Sequence, residues 1–307
     1  MTGADPLLLS RLMKHLAAMG VITEHACDQY LPSNLSQALA HPKYADGFPC
    51  FAKGAMNAIY GLPEYLARIN YRNPGSGLDS PFQFAYGTTK HWFEWAAENP
   101  PVLSQFGNHM SAYHQGRPSW MDPDFYPIED NLLTGVDIKP HDVLLVDVGG
   151  SLGHDLEELL DKHPTIPGRL ILQDLPAVIQ QARNYNGRIE PMAHDFFSVQ
   201  PVKGARVYYL HSVLHDWPDK DCKLILQRIT AAMTPGHSKL LINENVVPDV
   251  GADWQITALD FMVMTLVKAR ERNQQDWRRL LESAGLRILK IWSHENGIES
   301  LIECELA

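Results

Sequence analysis

Cysteine is scarce in this sequence and irregularly placed. The four cysteines, Cys27, Cys50, Cys222 and Cys304, lie far apart, and no two of them form a Cys-x-x-Cys pair. Zinc sites and disulfide frameworks require cysteines at short, regular spacings, so neither kind of site is expected. We expect reduced thiols and a cytoplasmic protein.

Long apolar runs and an excess of positive charge are also absent. No stretch approaches the roughly 18 apolar residues that a membrane-spanning helix needs. The N-terminus lacks the basic residues that open a signal peptide. The 26 Lys and Arg residues face 36 Asp and Glu residues, which gives a net charge of −10. This balance argues against nucleic acid or an anionic membrane as a partner and leaves a small molecule as the expected one.

The 307 residues suffice for two modest domains. Residues 1–125 are mainly helical in pattern, with a helix over Pro6–Gly20, a short hairpin, and a helix capped by Ser33 or Asn34. This order predicts a winged-helix-like unit, although plain packing explains it equally well because no basic patch accompanies it. Further helices are predicted at Thr88–Glu98 and Pro101–His114, a loop at Asn73–Gly77, and a domain junction at Arg117–Asp124.

Residues 126–307 alternate between strand and helix patterns, which predicts an α/β domain with an open, mostly parallel sheet. Glu295-Asn296-Gly297 predicts a turn between two terminal antiparallel strands. The predicted strands are Val143–Val148, Arg169–Gln173, Ile189–His194, Val207–Leu210, Lys239–Asn243, Arg287–Ser293 and Ile298–Glu303. The predicted helices are Gly153–His163, Pro176–Ala182, Asp219–Met233, Trp254–Lys268 and Gln274–Ala284.

A glycine-rich turn follows the first strand of this sheet. Gly149, Gly150 and Gly153 come directly after Asp147. Glycine lets the backbone turn tightly and approach a ligand, and the next helix directs its N-terminus at that ligand. Taken alone, the turn fits S-adenosylmethionine, a nicotinamide dinucleotide or a purely structural role.

The ends of the next two strands favour an adenosine ligand. Asp174, followed by Leu175, can accept hydrogen bonds from both ribose hydroxyls, and it can also cap the following helix. Asp195 can accept a hydrogen bond from the adenine amine, and Phe196 can stack on the ring. Because the carboxyl ends of parallel strands meet at one edge, we expect a single crevice that binds S-adenosylmethionine.

The fourth strand leads into a histidine-rich segment, His211-Ser212-Val213-Leu214-His215-Asp216-Trp217. This segment, with Asp219 and Cys222, resembles the catalytic motif of the plant and fungal small-molecule O-methyltransferases of the caffeic acid O-methyltransferase type. The resemblance extends over essentially the whole chain. Further matching blocks are Gln173-Asp174-Leu175-Pro176, His194-Asp195-Phe196-Phe197, and Glu271 with Trp277 and Ala284-Gly285.

The resemblance implies a class I methyltransferase fold, which is a Rossmann-like, mostly parallel seven-stranded sheet with a C-terminal antiparallel hairpin. It also implies division into a helical, substrate-capping domain over residues 1–125 and a catalytic domain over residues 126–307. His211 stands where the family usually has Lys or Arg near the cofactor. The cofactor residues implied are Asp147, Gly149, Gly150, Asp174, Leu175, Asp195, Phe196 and His211.

The resemblance also implies a set of catalytic residues around His215. An acceptor hydroxyl must lose its proton, and histidine takes protons well near neutral pH. Glu244 and Glu271 would orient the imidazole and raise its basicity, with Asp216 as a further neighbour. Each acid also has a plain explanation, such as an ion pair between Glu271 and Arg270. No third ligand accompanies His211 and His215, so no metal is expected.

Residues that would contact the acceptor are predicted from the same resemblance. Core packing is their default explanation, although methionine and aromatic side chains also suit a flat polyketide or aromatic molecule. Arg117 could bind an anionic or carbonyl group of the acceptor. The residues are Met110, His114, Arg117, Trp120, Phe261, Met262 and Thr265, with Met121 beside them.

Family members form homodimers through an N-terminal helical region. Here Met1 falls almost at the start of the winged-helix-like segment, so that region is expected to be missing or very short, and dimerisation stays an open question.

Three functions are weighed. The favoured one is S-adenosylmethionine-dependent O-methylation of a phenol or enol in fungal secondary metabolism. The second is pericyclic catalysis, because some fungal relatives bind the same cofactor without using its methyl group; His215, Glu244 and Glu271 favour transfer over it. The third, a regulator that uses the winged-helix-like unit, conflicts with the acidic charge.

Overall fold

The computed structural model describes residues 3–75, 79–113, 115–181, 187–294 and 299–307. The chain forms two compact units, Met1–Gly54 with Ala96–Tyr113, and Ala55–Trp95 with His114–Ala307. The sequence-predicted domain boundary after residue 125 stays a prediction.

Within the described residues, short turns of π-helix and 3-10 helix cover Glu129–Leu133 and Leu214–Asp216. The helices are α1 (Pro6–Ala18), α2 (Asn34–Ala38), α3 (Pro42–Ala45), α4 (Gly47–Gly54), α5 (Met56–Arg68), α6 (Pro81–Tyr86), α7 (Trp92–Glu98), α8 (Val102–Tyr113), α9 (His154–Lys162), α10 (Pro176–Ile179), α11 (Asp219–Thr230), α12 (Trp254–Val267) and α13 (Gln274–Ser283). The strands are β1 (Ile22–Ala26), β2 (Gln29–Pro32), β3 (Val143–Val148), β4 (Arg169–Asp174), β5 (Ile189–Ala193), β6 (Val207–His211), β7 (Lys239–Val247), β8 (Arg272–Asn273), β9 (Leu286–Ser293) and β10 (Glu299–Leu306).

The first unit begins with the predicted helix, hairpin and helix. The Asp5 carboxylate caps α1 by accepting the Leu8 N–H, and β1 pairs with β2 in antiparallel register. Ser33 and Ser36 form a capping box at the start of α2. These contacts confirm the order of elements predicted for this segment.

The second unit is built on one sheet with the strand order β5-β4-β3-β6-β7-β10-β9, and β8 pairs with β7. The strands from β5 to β7 run parallel, whereas β10 is antiparallel to both β7 and β9. The mostly parallel sheet with antiparallel C-terminal strands is therefore confirmed. The predicted turn at Glu295–Gly297 lies outside the described residues.

The central strands are continuous hydrophobic runs in the sequence because both faces of the sheet are covered by apolar residues. Val146 and Val148 of β3 pack into one core with α11 and α13. Leu145 packs into the other core with Leu156 and Leu159 of α9. Buried from both sides, the strands hold their carboxyl ends at fixed positions for a site.

Two helix predictions differ from the structure, one at its start and one at its end. The helix predicted from Thr88 begins at Trp92, because Gly87 takes a left-handed conformation that ends α6. The helix predicted over Pro176–Ala182 ends earlier, at Ile179, and Ala182 itself lies outside the described residues. Among the described helices, none is long and apolar enough to cross a membrane.

Candidate active site

The glycine turn after β3 folds tightly onto the end of β4. The N–H groups of Gly149 and Gly150 both donate to the carbonyl of Gln173, at 2.8 and 3.1 Å. A Cβ on Gly150 would lie 2.2 Å from Asp147 Oδ2 and 2.6 Å from Leu172 Cδ1. No side chain fits there, so glycine is required by close approach of the backbone.

Two backbone amides orient the carboxylate of Asp174. Oδ2 accepts the Ser151 N–H at 2.8 Å, and Oδ1 accepts the Leu175 N–H at 2.7 Å. Burial raises the pKa of Asp174, and the two amides act in the opposite direction. The carboxylate therefore joins the glycine turn to the start of α10, and Leu175 is about half exposed beside it.

Asp147 lies fully buried beneath the turn. Within the described residues, neither of its carboxylate oxygens has a hydrogen-bond partner. Burial, and then the negative charge of Asp155, raise the pKa of Asp147 well above its usual value. Asp147 therefore packs against the glycine turn at Gly150, and its burial disfavours the ionised form of the carboxyl group.

Asp195 and Phe196 follow β5 at the same edge of the sheet. Asp195 is exposed, and its carboxylate accepts the Phe197 N–H at 2.9 Å. A Cβ on Gly149 would lie 3.7 Å from the Phe196 ring, so this ring borders the glycine turn. The structure thus brings together the predicted strand ends of β3 and β5.

His211 sits between two carboxylates that the sequence reading missed. Its Nδ1 contacts Asp155 of α9, and its Nε2 lies 3.2 Å from Glu299 of β10. Burial opposes protonation, but these carboxylates raise the pKa of His211 well above its usual value. Tyr209 also donates to Asp155, at 2.8 Å. An acid in the first turn of the helix after the glycine turn was the one local signal of this network.

His215 lies in the 3-10 turn after β6 and is 7% exposed. Its Nδ1 donates to Glu271 Oε1 at 2.8 Å. Its other nitrogen, Nε2, lies 3.7 Å from Asp216 Oδ1, beyond hydrogen-bond distance. Glu271 therefore holds Nδ1 by a hydrogen bond, whereas Nε2 has no hydrogen bond to Asp216.

Glu244 holds the backbone of the same turn. Its Oε1 accepts the N–H of Leu214 at 2.7 Å and that of His215 at 3.3 Å, while its Oε2 lies 3.7 Å from His215 Nδ1. The two predicted acids therefore accept different hydrogen bonds. Glu271 accepts one from the imidazole, and Glu244 accepts two from the main chain.

Proton affinities in this cluster are strongly perturbed. Burial lowers the pKa of His215, but Glu244, Asp216 and Glu271 outweigh it and raise that pKa to about 10. Burial raises the pKa of Glu244 to about 7, against the effect of His215. Burial also raises the pKa of Asp216 to about 6. The raised pKa of His215 therefore favours the protonated form of its imidazole at neutral pH.

The same cluster has a donor set that suits a divalent cation, since one atom from each of His215, Glu244 and Glu271 lies within 4.8 Å of the others. However, His215 Nδ1 is engaged by Glu271 at 2.8 Å. The hydrogen bond from the imidazole to Glu271 and the bond from the Leu214 N–H to Glu244 account for the close approach of these groups.

His91 was overlooked in the sequence. Its ring stacks on Trp217 at 4.4 Å between centroids and 7° between planes, directly after the 3-10 turn that carries His215. Burial lowers the pKa of His91 to about 4, so this ring is neutral. In the sequence, His91 is a single histidine just before the start of α7, and such a pattern does not indicate a specific role.

The predicted acceptor residues occupy varied environments. Trp120 is 2% exposed, and its indole N–H donates to Tyr209 at 2.9 Å. Phe261 is 62% exposed, Met262 is half-buried, and Thr265 is buried with its hydroxyl bonded to the Phe261 carbonyl. Arg117 is half-buried, 3.5 Å from Gln255.

Two further acceptor residues cannot be placed beside these. Met110 belongs to α8 of the first unit, and His114 lies outside the described residues. All the acceptor roles therefore stay predictions.

Comparisons with known proteins agree on one family. Residues 75–287 match the family described as "O-methyltransferase domain". The chain is 42% identical over 306 residues to the methyltransferase cfoC of Aspergillus candidus, covering 98% of this chain and 75% of that one. It is 39% identical over 308 residues to the O-methyltransferase mpaG of Penicillium brevicompactum, covering 100% and 77%.

Solved structures share the fold. A structure described as "A Pericyclic Reaction enzyme" has a TM-score of 0.90 at 32% identity, covering 99% of this chain and 78% of that one. LepI in complex with S-adenosylmethionine gives 0.89 at 32%, with the same coverage. OxaC in complex with sinefungin and meleagrin gives 0.85 at 31%, covering 100% and 77%.

Proposed function

The chain belongs to the O-methyltransferase domain family, and we propose that it methylates a phenol or enol hydroxyl of a small secondary metabolite, a polyketide or another aromatic compound. The family, the class I fold and S-adenosylmethionine dependence are established by the relatives and by structures that contain this cofactor. The acceptor and the residue roles below are our proposal.

The glycine turn and the strand ends fit the cofactor. Gly150 leaves a gap that a Cβ would fill, and Asp174 presents its carboxylate at the same turn. When bound, S-adenosylmethionine supplies a methyl group on a positively charged sulfur. We assign binding to Asp147, Gly149, Gly150, Asp174, Leu175, Asp195, Phe196 and His211.

One observation carries the proposed mechanism: His215 Nδ1 is held by Glu271 at 2.8 Å. This bond fixes the ring orientation and leaves Nε2 to take the acceptor proton. Glu244 fixes the backbone of the turn, and Asp216 faces Nε2. The reaction also requires the acceptor oxygen to be aligned with the methyl group, and a buried base in a fixed orientation helps to hold that oxygen in place.

The proton affinity of His215 suits a phenol. Its pKa is raised to about 10, close to the usual value of a phenol, about 10. Transfer between groups of equal affinity needs little energy in either direction. His215 can accept the proton of the acceptor hydroxyl only when its imidazole is neutral. The imidazolium must therefore lose its proton to solvent before the reaction, so the rate rises with pH.

The acceptor would contact Arg117, Trp120, Phe261, Met262 and Thr265, with Met110 and His114 as further candidates. The exposed Phe261 and the half-buried guanidinium of Arg117 support an aromatic molecule that carries an oxygen function. OxaC is seen in complex with meleagrin, a small molecule.

The cellular setting is also part of the proposal. The relatives are fungal, and we propose a cytoplasmic enzyme of fungal secondary metabolism that acts on a small molecule rather than on nucleic acid or at a membrane. Homodimers are typical of the family, and whether this chain forms one stays an open question that light scattering would answer.

A pericyclase is the second candidate, since a pericyclic reaction enzyme shares the fold at a TM-score of 0.90. It would steer an isomerisation and leave the methyl group on the cofactor. The catalytic cluster around His215 favours methyl transfer over this alternative.

Product masses distinguish the two. The protein is incubated with S-adenosylmethionine carrying an isotope-labelled methyl group, with a panel of polyketide and aromatic phenols and, separately, with meleagrin. Blocked analogues without a free hydroxyl serve as controls, and one arm contains a chelator. We expect a labelled methyl group on the free hydroxyl, release of S-adenosylhomocysteine, and no effect of the chelator. An isomer of unchanged mass would refute methyl transfer.

A further inference from the structure

Arg272 is one of the largest fully buried side chains in the second unit. It follows Glu271 directly and lies on β8, which pairs with β7. A buried guanidinium has five N–H donors in a fixed fork and stays charged at all ordinary pH values. Such a group is retained inside a protein only where its donors and its charge are satisfied.

The donors of Arg272 are directed at the catalytic turn. Nη1 donates to the carbonyl of Leu214 at 2.9 Å, and Nη2 donates to the carbonyl of Trp217 at 3.0 Å. These two carbonyls flank His215 and Asp216 in the chain. One rigid side chain therefore bridges both ends of the turn that carries the proposed base.

Asp219 and Cys222 complete this arrangement. Nε and Nη2 of Arg272 both donate to Asp219 Oδ1, at 3.0 and 2.8 Å. The Cys222 sulfur lies 3.1 Å from each of the same two carbonyl oxygens, so its single S–H can donate to either one. Asp219 thus balances the charge and fixes the plane of the guanidinium, while Cys222 fills the remaining space.

The turn is held from opposite sides by opposite charges. Glu244 accepts the N–H groups of Leu214 and His215, and Arg272 donates to the carbonyls of Leu214 and Trp217. Glu271 meanwhile holds the imidazole. Neighbouring residues 271 and 272 therefore orient the side chain and the backbone of the same histidine.

We propose that Arg272 is a positioning residue for methyl transfer, which sets the place of His215 by bridging the carbonyls of Leu214 and Trp217. This proposal rests on the proposed function, because it requires His215 to act as the base. Arg272 does not touch the cofactor residues or the acceptor residues in the contacts described, so its effect falls on the chemical step.

The test is Arg272→Lys, which keeps the charge but cannot bridge two carbonyls and a carboxylate. We expect kcat to fall about 10- to 100-fold, because displacing the base by a fraction of an ångström is costly. The KM for the acceptor and the Kd for S-adenosylmethionine should stay within about twofold. Arg270→Lys is the matched control, since Arg270 also binds Asp219, at 3.2 Å, but is partly exposed and forms no described hydrogen bond to the turn.

A double variant separates positioning from general destabilisation. In a His215→Ala background, adding Arg272→Lys should leave the residual rate unchanged, because the effect acts through His215. If Arg272→Lys does not fold, Asp219→Asn provides a milder change that removes the charge partner and should lower kcat selectively.

Three results would overturn the proposal: unchanged kcat in Arg272→Lys, an equal fall in cofactor affinity, or a further fall in the double variant. A wild-type protein that transfers no methyl group would instead refute the proposed function.

Discussion

At the scale of single residues, the two buried glutamates differ in what they bond. Glu271 accepts from the imidazole, whereas Glu244 accepts from the main chain and keeps one oxygen 3.7 Å from His215 Nδ1. A sequence pattern assigns both to the base in the same way. Substitution should therefore separate them, because only one forms a hydrogen bond to the ring.

Glu271→Gln should change the pH dependence of the reaction. Glu271 is one of the carboxylates that raise the pKa of His215, so removing its charge lowers that pKa. The rise of kcat/KM with pH should then occur at lower pH, while the maximal rate falls because the ring is held less firmly. Measuring kcat/KM from about pH 6 to about pH 10 tests this. A profile that moves to higher pH would contradict it.

His215→Ala should remove catalysis and leave cofactor binding. General base catalysis contributes about 10²- to 10⁴-fold, and we expect a fall in kcat of that order. The Kd for S-adenosylmethionine should be unchanged, since His215 forms its described contacts with Glu244, Glu271 and Asp216 and with none of the proposed cofactor residues. Calorimetric titration gives the Kd, and His25→Ala, at an exposed position, is the control. Full activity in His215→Ala would disprove the assignment of the base.

At the scale of secondary structure, the glycine turn packs closely against side chains of β3 and β4. Gly150→Ala would place a Cβ 2.2 Å from Asp147 Oδ2, so the turn must shift. We expect the Kd for S-adenosylmethionine to rise at least about 10-fold, because the backbone no longer approaches the ligand. Gly61→Ala is the matched control, since its Cβ would meet Ala85 at an ordinary 3.6 Å. An unchanged Kd in Gly150→Ala would contradict a role for close approach.

The same scale shows how far the sequence could be read. Strand ends were predictable because buried parallel strands are apolar runs that stop at polar residues, as at Asp174. The contacts of His211 were not, because Glu299 reaches it only through the antiparallel entry of β10 beside β7. No local pattern encodes that pairing. Arg272 likewise reaches the turn that carries His215 from a two-residue strand, which is too short to leave a periodic signal in the sequence.

At the scale of the whole molecule, the residues proposed for cofactor binding and those proposed for catalysis lie in the same compact unit. Every assigned cofactor residue, and His215, lies in the unit formed by Ala55–Trp95 and His114–Ala307. All seven tryptophans of the chain also lie in those segments, at positions 92, 95, 120, 217, 254, 277 and 292. Tryptophan fluorescence therefore reports the unfolding of this unit specifically.

Ligand binding to the folded state must then raise the Tm observed by tryptophan fluorescence. With S-adenosylmethionine at 100 times its Kd, the free energy of unfolding rises by about 2.7 kcal/mol, which corresponds to roughly 5–10 °C for a unit of this size. His215→Ala should retain the whole shift, because it leaves the glycine turn and Asp174 intact. Asp174→Asn should lose most of it at the same cofactor concentration, because its carboxylate is assigned to the ribose hydroxyls. Loss of the shift in His215→Ala, or its retention in Asp174→Asn, would show that the residues assigned to binding and to catalysis cannot be separated as proposed.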